Sequence, residues 1–412
     1  MSEAHAIQII SKADFTAQSL TPAPSPSTPL TAPSSVRIQT RLISLTTNTF
    51  TYAKLGGNPF LAWWNVWPLP ATVSPDTHCR ISAWGYSEVV ESTVPSLPVG
   101  TELFGYQPIG TRVEEIQLIE GNVPGDYDVV LPDDGLRKGL NPIYNRYHVF
   151  GDESNESKGL RALFYALWQT GWMLNQHVFA WEGGFKPSHP FGAAGGDGWD
   201  AKKADIKGAV VILLAPSGKT GLSFAHELRK GRPEGEQPEK VIGVGSEKSK
   251  GFSESTGLFD EVLLYEQVED IERIAKKGQK IVLVNFAARG QAADTWASAL
   301  DEKFGEDNVT VLLVGADPSA TRPPVLYGKA MDPTSNVYQA HAGLIREKGI
   351  ANLGSAEAYY NAQNAAWHRF AGDGAIPAIE IKWEKGLEKY KAGWQALADG
   401  HYGPETGLVF EL

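Results

Sequence analysis

Five apolar residues in a row, Val210-Val211-Ile212-Leu213-Leu214, run into the turn Ala215-Pro216-Ser217-Gly218-Lys219-Thr220-Gly221. The run has the length and aliphatic content of a parallel strand buried on both faces. Beyond the turn, Leu222, Ala225 and Leu228 recur at helical spacing. A strand, a glycine turn and a helix in that order bring backbone N–H groups and a helix N-terminus to one point, an arrangement that suits a phosphate. The ligand this predicts is a nucleotide or dinucleotide. Gly218-Lys219-Thr220 imitates the end of a Walker A loop, but that loop needs an earlier glycine at a position that here falls inside the apolar run. The spacing Ala215-x-x-Gly218-x-x-Gly221 fits a dinucleotide turn instead. Gly218 would let a pyrophosphate approach the backbone, and Gly221 would let the helix pack close to the strand. Ser217 and Thr220 belong to the same candidate cofactor turn, and Lys219 would add a positive charge near the pyrophosphate.

The same rhythm continues downstream. Strand patterns at 209–214, 241–244, 261–264, 280–284 and 309–314 alternate with helix patterns at 222–230, 251–255, 268–277 and 292–304. This predicts a parallel sheet covered by helices on both faces. Upstream the texture differs. Short strand patterns at 6–10, 36–42, 87–92, 102–106, 113–118 and 127–131 are separated by turn residues, and residues 21–35 are a Pro/Ser/Thr-rich loop. A long amphipathic helix is expected over 160–179, a Gly-rich excursion over 183–198, helices over 356–370 and 384–397, and a last strand over 407–412. A length of 412 residues favours two domains. The net charge of −11 argues against nucleic acid or an anionic membrane as partner, and a single cysteine, Cys79, excludes a disulfide framework. No apolar run reaches the roughly 18 residues of a membrane span, and no secretory leader is evident, so a cytoplasmic location is expected.

An NAD-binding unit places an acidic side chain at the end of its second strand, to hold the ribose hydroxyls. The run here is Gly245-Ser246-Glu247-Lys248-Ser249-Lys250. Ser246 and Lys248 would hold a 2′-phosphate, which favours NADPH, while Glu247 offers a displaced acidic alternative. Asn285 and Phe286 end the fourth strand and Gly315 ends the fifth. All three are expected contacts to the nicotinamide side or the ribose, because ligands lie beyond the carboxyl ends of such strands.

These residues, taken in order, resemble the medium-chain dehydrogenase/reductase superfamily, nearest its zinc-free quinone-reductase branch, as a divergent offshoot. Residues 38–56 resemble its second strand and the Asn/Tyr-bearing loop that follows. Trp84-Gly85-Tyr86-Ser87-Glu88-Val89-Val90-Glu91 resembles its G-x-x-x-G-V-V-E segment, with Glu88 in place of the second glycine. Leu97-Pro98-Val99-Gly100-Thr101-Glu102-Leu103-Phe104-Gly105 is similar to its G-D-R-V-F-G hairpin, with Thr101 for the aspartate. Ala215 stands where a glycine is usual. The resemblance implies an α/β chain in which a GroES-like β-barrel domain (1–157 and 346–412) receives an inserted Rossmann doubly wound parallel-sheet domain (158–345). It implies NADPH-dependent, zinc-free reduction of an enone, quinone or related small carbonyl compound by a homodimer. It also points to Tyr52 as the substrate-facing phenol, with Asn48 and Lys54 on the same loop.

Tyr144, Asn145, Arg146 and Tyr147 form a second polar–aromatic cluster, in which Arg146 would bind a carboxylate or phosphate. Trp63, Trp64 and Trp67 follow the Tyr52 loop and would wall a pocket for an apolar or aromatic substrate. His78 and Cys79 adjoin, but no third zinc ligand is evident. Two other readings stay open at this point: a non-redox isomerase or carbon–carbon lyase on the same fold, and a binding protein without turnover.

Overall fold

The computed structural model describes residues 5–59, 61–131, 135–196, 198–317, 325–332 and 334–412. In chain order its elements are β1 (Ala6–Ser11), β2 (Gln18–Pro22), β3 (Ser35–Leu45), α1 (Thr47–Leu55), β4 (His78–Cys79), β5 (Ser82–Ser92), β6 (Glu102–Pro108), β7 (Val113–Glu120), β8 (Asp126–Val129), β9 (Arg146–His148) and α2 (Asn155–Met173). Next come α3 (Ala201–Ala204), β10 (Val210–Leu214), α4 (Lys219–Lys230), β11 (Lys240–Gly245), α5 (Glu247–Ser255), β12 (Glu261–Leu264), α6 (Ile271–Ile274), β13 (Ile281–Phe286), α7 (Ala292–Phe304), β14 (Val309–Gly315), α8 (Leu326–Lys329) and β15 (Val337–Gln339). The last are α9 (Ala342–Leu353), α10 (Ala356–Gly372), β16 (Glu380–Lys385), α11 (Leu387–Ala398) and β17 (Thr406–Glu411). The chain forms two compact units. The first comprises Met1–Ala166, Glu380–Tyr402 and Thr406–Leu412; the second comprises Leu167–Ile379 and Gly403–Glu405.

In the first unit β3, β5, β6, β9, β8 and β7 pair in that order, and β7 pairs back onto β3. Six strands therefore close into a barrel, which removes the open sheet edges. β17 joins through β3, and β16 lies parallel to it at the edge. The alternating sequence of β7 gives one buried face, Glu114, Ile116 and Leu118. Glu114 is tolerated there because Arg80, itself buried, donates to it at 2.5 Å. α11 covers the β17 end, where Gly393 lets the Phe410 ring lie against the helix. The expected helix over 384–397 is corrected at its start: Glu384 and Lys385 belong to β16, and Gly386 at φ +95° makes the turn into α11.

The second unit holds a six-stranded, all-parallel sheet in the order β12-β11-β10-β13-β14-β15. Every residue of β10 is buried, as an apolar run in the middle of a covered sheet requires. The strand order reverses between β10 and β13, so the switch point of a doubly wound sheet lies at their carboxyl ends. One face packs Trp296, Leu300 and Ile274 against Ile212, Leu283 and Val311. The helix expected over 268–277 shortens to one 3-10 turn and the four residues of α6. Unit boundaries expected at 157/158 and 345/346 are observed at 166/167 and 379/380. The second lies later because α9 packs on α10 and on the turns at 174–178 and 192–195.

β5 passes β3 with almost no clearance at Gly85, where an added Cβ would sit 2.0 Å from the Leu42 carbonyl oxygen. Gly85→Ala is expected to destabilise the barrel unit by at least ~1–3 kcal/mol. An unchanged thermal midpoint would refute this tight crossing.

Candidate functional site

The turn after β10 has an unusual backbone and leads into a helix with no side-chain cap. Ala215 takes φ +57° and Ala287, after β13, takes φ +90°. These two left-handed alanines end the two strands that flank the switch point. Each costs a non-glycine residue about 1–2 kcal/mol. Gly218 is the N-cap of α4, makes no side-chain cap and is exposed; a Cβ there would meet only the Ala215 oxygen at 3.7 Å. Gly221 is different: a Cβ would lie 3.1 Å from the Pro216 oxygen and 3.3 Å from that of Ala215. The first glycine leaves room outside the turn, and the second lets α4 sit down on it.

Lys219, the first residue of α4, is half-buried. Desolvation lowers its ammonium to about 8. A cation at this end opposes the helix dipole, whose uncapped N–H groups already present positive charge. A bound anion reverses both penalties. Ser217 and Thr220 are half-buried beside it.

At the end of β11, Ser246 caps α5 and its Oγ lies 3.1 Å from that of Ser249. The stretch from 247 is therefore the first turn of α5. Glu247 and Lys248 are exposed on it, and no carboxylate ends the strand itself. Tyr265, the residue after β12, was missed in the sequence. Its half-buried phenol is pushed up by burial and lies against the backbone of Arg289 and Ala215. Its position at the carboxyl edge of the same sheet was the available signal. Asn285 is buried, and its Oδ1 accepts from the N–H groups of Ala287 (3.2 Å) and Ala288 (2.8 Å). It holds Ala287 in its left-handed turn. Phe286 packs on Phe224, and Gly315 lets β14 approach the Phe286 carbonyl.

In the barrel unit, residues 47–55 are α1, not a loop, and this separates the predicted residues. Asn48 and Tyr52, four apart, share a face, and Asn48 Nδ2 donates to the Tyr52 hydroxyl at 2.6 Å. Lys54, two residues on, lies on the other side, exposed, with its ammonium 5.6 Å from the Phe15 ring. Trp84 Nε1 also donates to the Tyr52 hydroxyl, at 2.9 Å. Around Tyr52 stand Trp63 (4.8 Å between ring centroids), Tyr106 (5.0 Å) and Tyr144 (5.8 Å). Burial raises all three phenols, those of Tyr106 and Tyr144 well above the ordinary value. All three keep their protons near neutral pH. The buried Trp63 Nε1 and Tyr106 hydroxyl have no hydrogen-bond partner among the described residues. Trp84 and Tyr106 were not singled out in the sequence, because only barrel closure brings β5 and β6 to α1.

The rest of the predicted cluster is used inside the barrel. Arg146 is buried and paired with Asp126, which His148 also contacts at 2.5 Å. Burial pushes the Asp126 carboxyl up, but His148 and Arg146 outweigh it and hold it below the usual value. Tyr147 lies on Gly105 and donates to the Tyr106 carbonyl at 3.1 Å. Trp67 donates to Ser82 at 3.1 Å beneath the Arg137 guanidinium. Cys79 is buried and donates to the Ile10 carbonyl. Among the described residues no three His, Cys, Asp or Glu side chains gather to hold a metal, and no helix is long and apolar enough to cross a membrane.

A left-handed alanine is relieved by glycine, whereas a helical one is not. Ala215→Gly is expected to keep or raise stability, by up to about 1 kcal/mol, while Ala225→Gly inside α4 lowers it by about 1 kcal/mol. Chemical denaturation of the two variants checks the contrast.

A family model described as "Protein of unknown function (DUF2855)" matches residues 43–403. No curated protein matches the chain by sequence. Solved structures match across the whole length. Mycobacterial Rv1454c complexed with NADPH is 15% identical at a TM-score of 0.57, with 100% of both chains covered. Escherichia coli quinone oxidoreductase complexed with NADPH is 14% identical at 0.56, with 99% of both covered. CurA from Vibrio vulnificus in complex with NADPH is 13% identical at 0.54, with 98% of both covered. The barrel and the parallel sheet are thus the medium-chain dehydrogenase/reductase fold.

Proposed function

The chain belongs to the DUF2855 family, and from that premise we propose that it is an NADPH-dependent, zinc-free oxidoreductase reducing an enone, a quinone or a related small carbonyl compound. The observation that carries this reading is the turn at 215–221: a half-buried lysine on an uncapped helix N-terminus, open space outside Gly218, and a strained alanine on each side of the switch point. Three structures of similar fold, named above, are NADPH complexes.

In this reading the N–H groups of residues 217–221 and the Lys219 ammonium hold the pyrophosphate. Ser246 and Lys248 hold the 2′-phosphate, and the Asn285-braced turn, with Phe286 and Gly315, supports the nicotinamide end. The bound cofactor supplies the hydride. In the barrel unit, Tyr52 and Tyr144 would be the hydroxyl donors to a substrate carbonyl, with Trp63 as an apolar wall. The raised Tyr52 phenol keeps its proton against water and yields it only to a more basic oxygen, such as an enolate. Lys54 is exposed on α1 and Arg146 is paired with Asp126, so this reading gives neither a catalytic role.

Titration with NADPH, followed by nicotinamide fluorescence, should give saturable binding; its absence refutes the redox reading. Gly218→Asp puts bulk and negative charge where the pyrophosphate lies, at a φ of −70° that any residue adopts. It should weaken NADPH by on the order of 100-fold, about 2.7 kcal/mol, with the melting curve unchanged. Lys248→Ala should weaken NADPH roughly tenfold and leave NADH untouched; equal losses would remove the 2′-phosphate role. Lys219 is charged below about pH 8 and neutral above it. NADPH affinity should therefore be flat below that pH and fall up to about tenfold per unit above it, as binding comes to require proton uptake. Lys219→Arg should abolish the fall.

A further inference from the structure

A cavity of about 190 Å³ in the second unit lies away from the sheet's carboxyl edge, at the C-terminal ends of α4 and α10. Its wall includes His226, Glu227, Lys230, Gly231, Arg369 and Asp373. Glu227 is 2% exposed. Its Oε1 accepts from Trp168 Nε1 at 2.8 Å, and its Oε2 has no partner among the described residues. Gly231 makes room for that oxygen, since a Cβ there would stand 2.2 Å from it. His226, 6% exposed, has an unpartnered Nδ1, and its Nε2 is 3.8 Å from Asp373.

These groups share one polarity. Two helix C-termini, an orphan carboxyl oxygen and Asp373 all favour a cation or a strong hydrogen-bond donor at the floor. Lys230 and Arg369 stand exposed at the rim, and neither forms an ion pair among the described residues. We propose that this cavity binds a small zwitterion of the amino-acid class, its ammonium on Glu227 and its carboxylate between Lys230 and Arg369. The volume suits a ligand of a few heavy atoms.

Burial raises the Glu227 carboxyl to about 7, against the indole hydrogen bond and the nearby Arg369 charge. The charged or titratable groups around it are His226 and Lys230 on α4 and Arg369 and Asp373 at the end of α10; α2 supplies Trp168. His226, pushed down to about 4 by burial, stays neutral at working pH. An ammonium needs the ionised carboxylate, so binding releases a proton from Glu227 below about pH 7, and affinity falls there by up to tenfold per unit.

The test is calorimetric titration of the full chain with β-alanine, methylammonium and acetate between pH 5.5 and 8. A Gly218→Asp background keeps the cofactor turn out of the measurement. Saturable β-alanine binding at pH 8, tenfold or more tighter than either fragment and weakening below pH 7, is the expected result. Glu227→Gln should remove the pH slope and weaken binding tenfold. The exposed Arg369→Ala should bring β-alanine down to the level of methylammonium. No saturation with β-alanine at pH 8, an unchanged slope in Glu227→Gln, or unchanged affinity in Arg369→Ala would each overturn the assignment.

Discussion

The start of α4 sets a positive charge against a positive helix end, in a place where water is partly excluded. A negative charge placed there would relieve that opposition. The features around the turn fix this one electrostatic arrangement in place. β10 is buried along its whole length, so its carboxyl end is fixed in the sheet. Gly221 brings the helix down onto the turn, and Gly218 leaves the outside of the turn bare. The left-handed alanines at 215 and 287 hold the backbone where right-handed geometry would turn it elsewhere. Strain of this kind persists only where packing over-determines it, and here the neighbouring strands and the Asn285 side chain do so.

The barrel unit solves a different problem. It buries hydroxyl, guanidinium and carboxylate groups in quantity and satisfies most of them in pairs. Arg80 meets Glu114, Arg146 meets Asp126, and Arg161 meets Glu153, which Tyr86 also contacts. Against that background the Tyr52 cluster stands out. Its hydroxyl collects two N–H donors, yet the neighbouring Trp63 indole and Tyr106 phenol have donors to spare.

Much of this was legible in the residues because it rests on local chemistry. The βαβ rhythm needs only apolar runs, turns and helical spacing; the strands expected at 209–214, 261–264 and 280–284 are observed at 210–214, 261–264 and 281–286. The tight turn that Gly218 and Gly221 make into α4 follows from spacing alone. What failed to show was orientation. A loop and a helix over 47–55 use the same residues, and only the helix sends Lys54 away from Tyr52. Arg146 reads as a free anion binder until β8 places Asp126 opposite it. Tyr265 and Trp84 carry no local signal, since strand order alone brings them to their partners.

By itself, then, the sequence determined the strands and most of the helices of the parallel-sheet unit, that such a sheet must exist, and where its glycine turn bends. These depend on periodicity and backbone sterics within a dozen residues. Tertiary structure alone decided which charges are neutralised, which hydroxyls gather, and which buried carboxyl is left with an unpartnered oxygen beside Gly231. Those depend on groups far apart in the chain, and burial multiplies their electrostatic weight only once they meet.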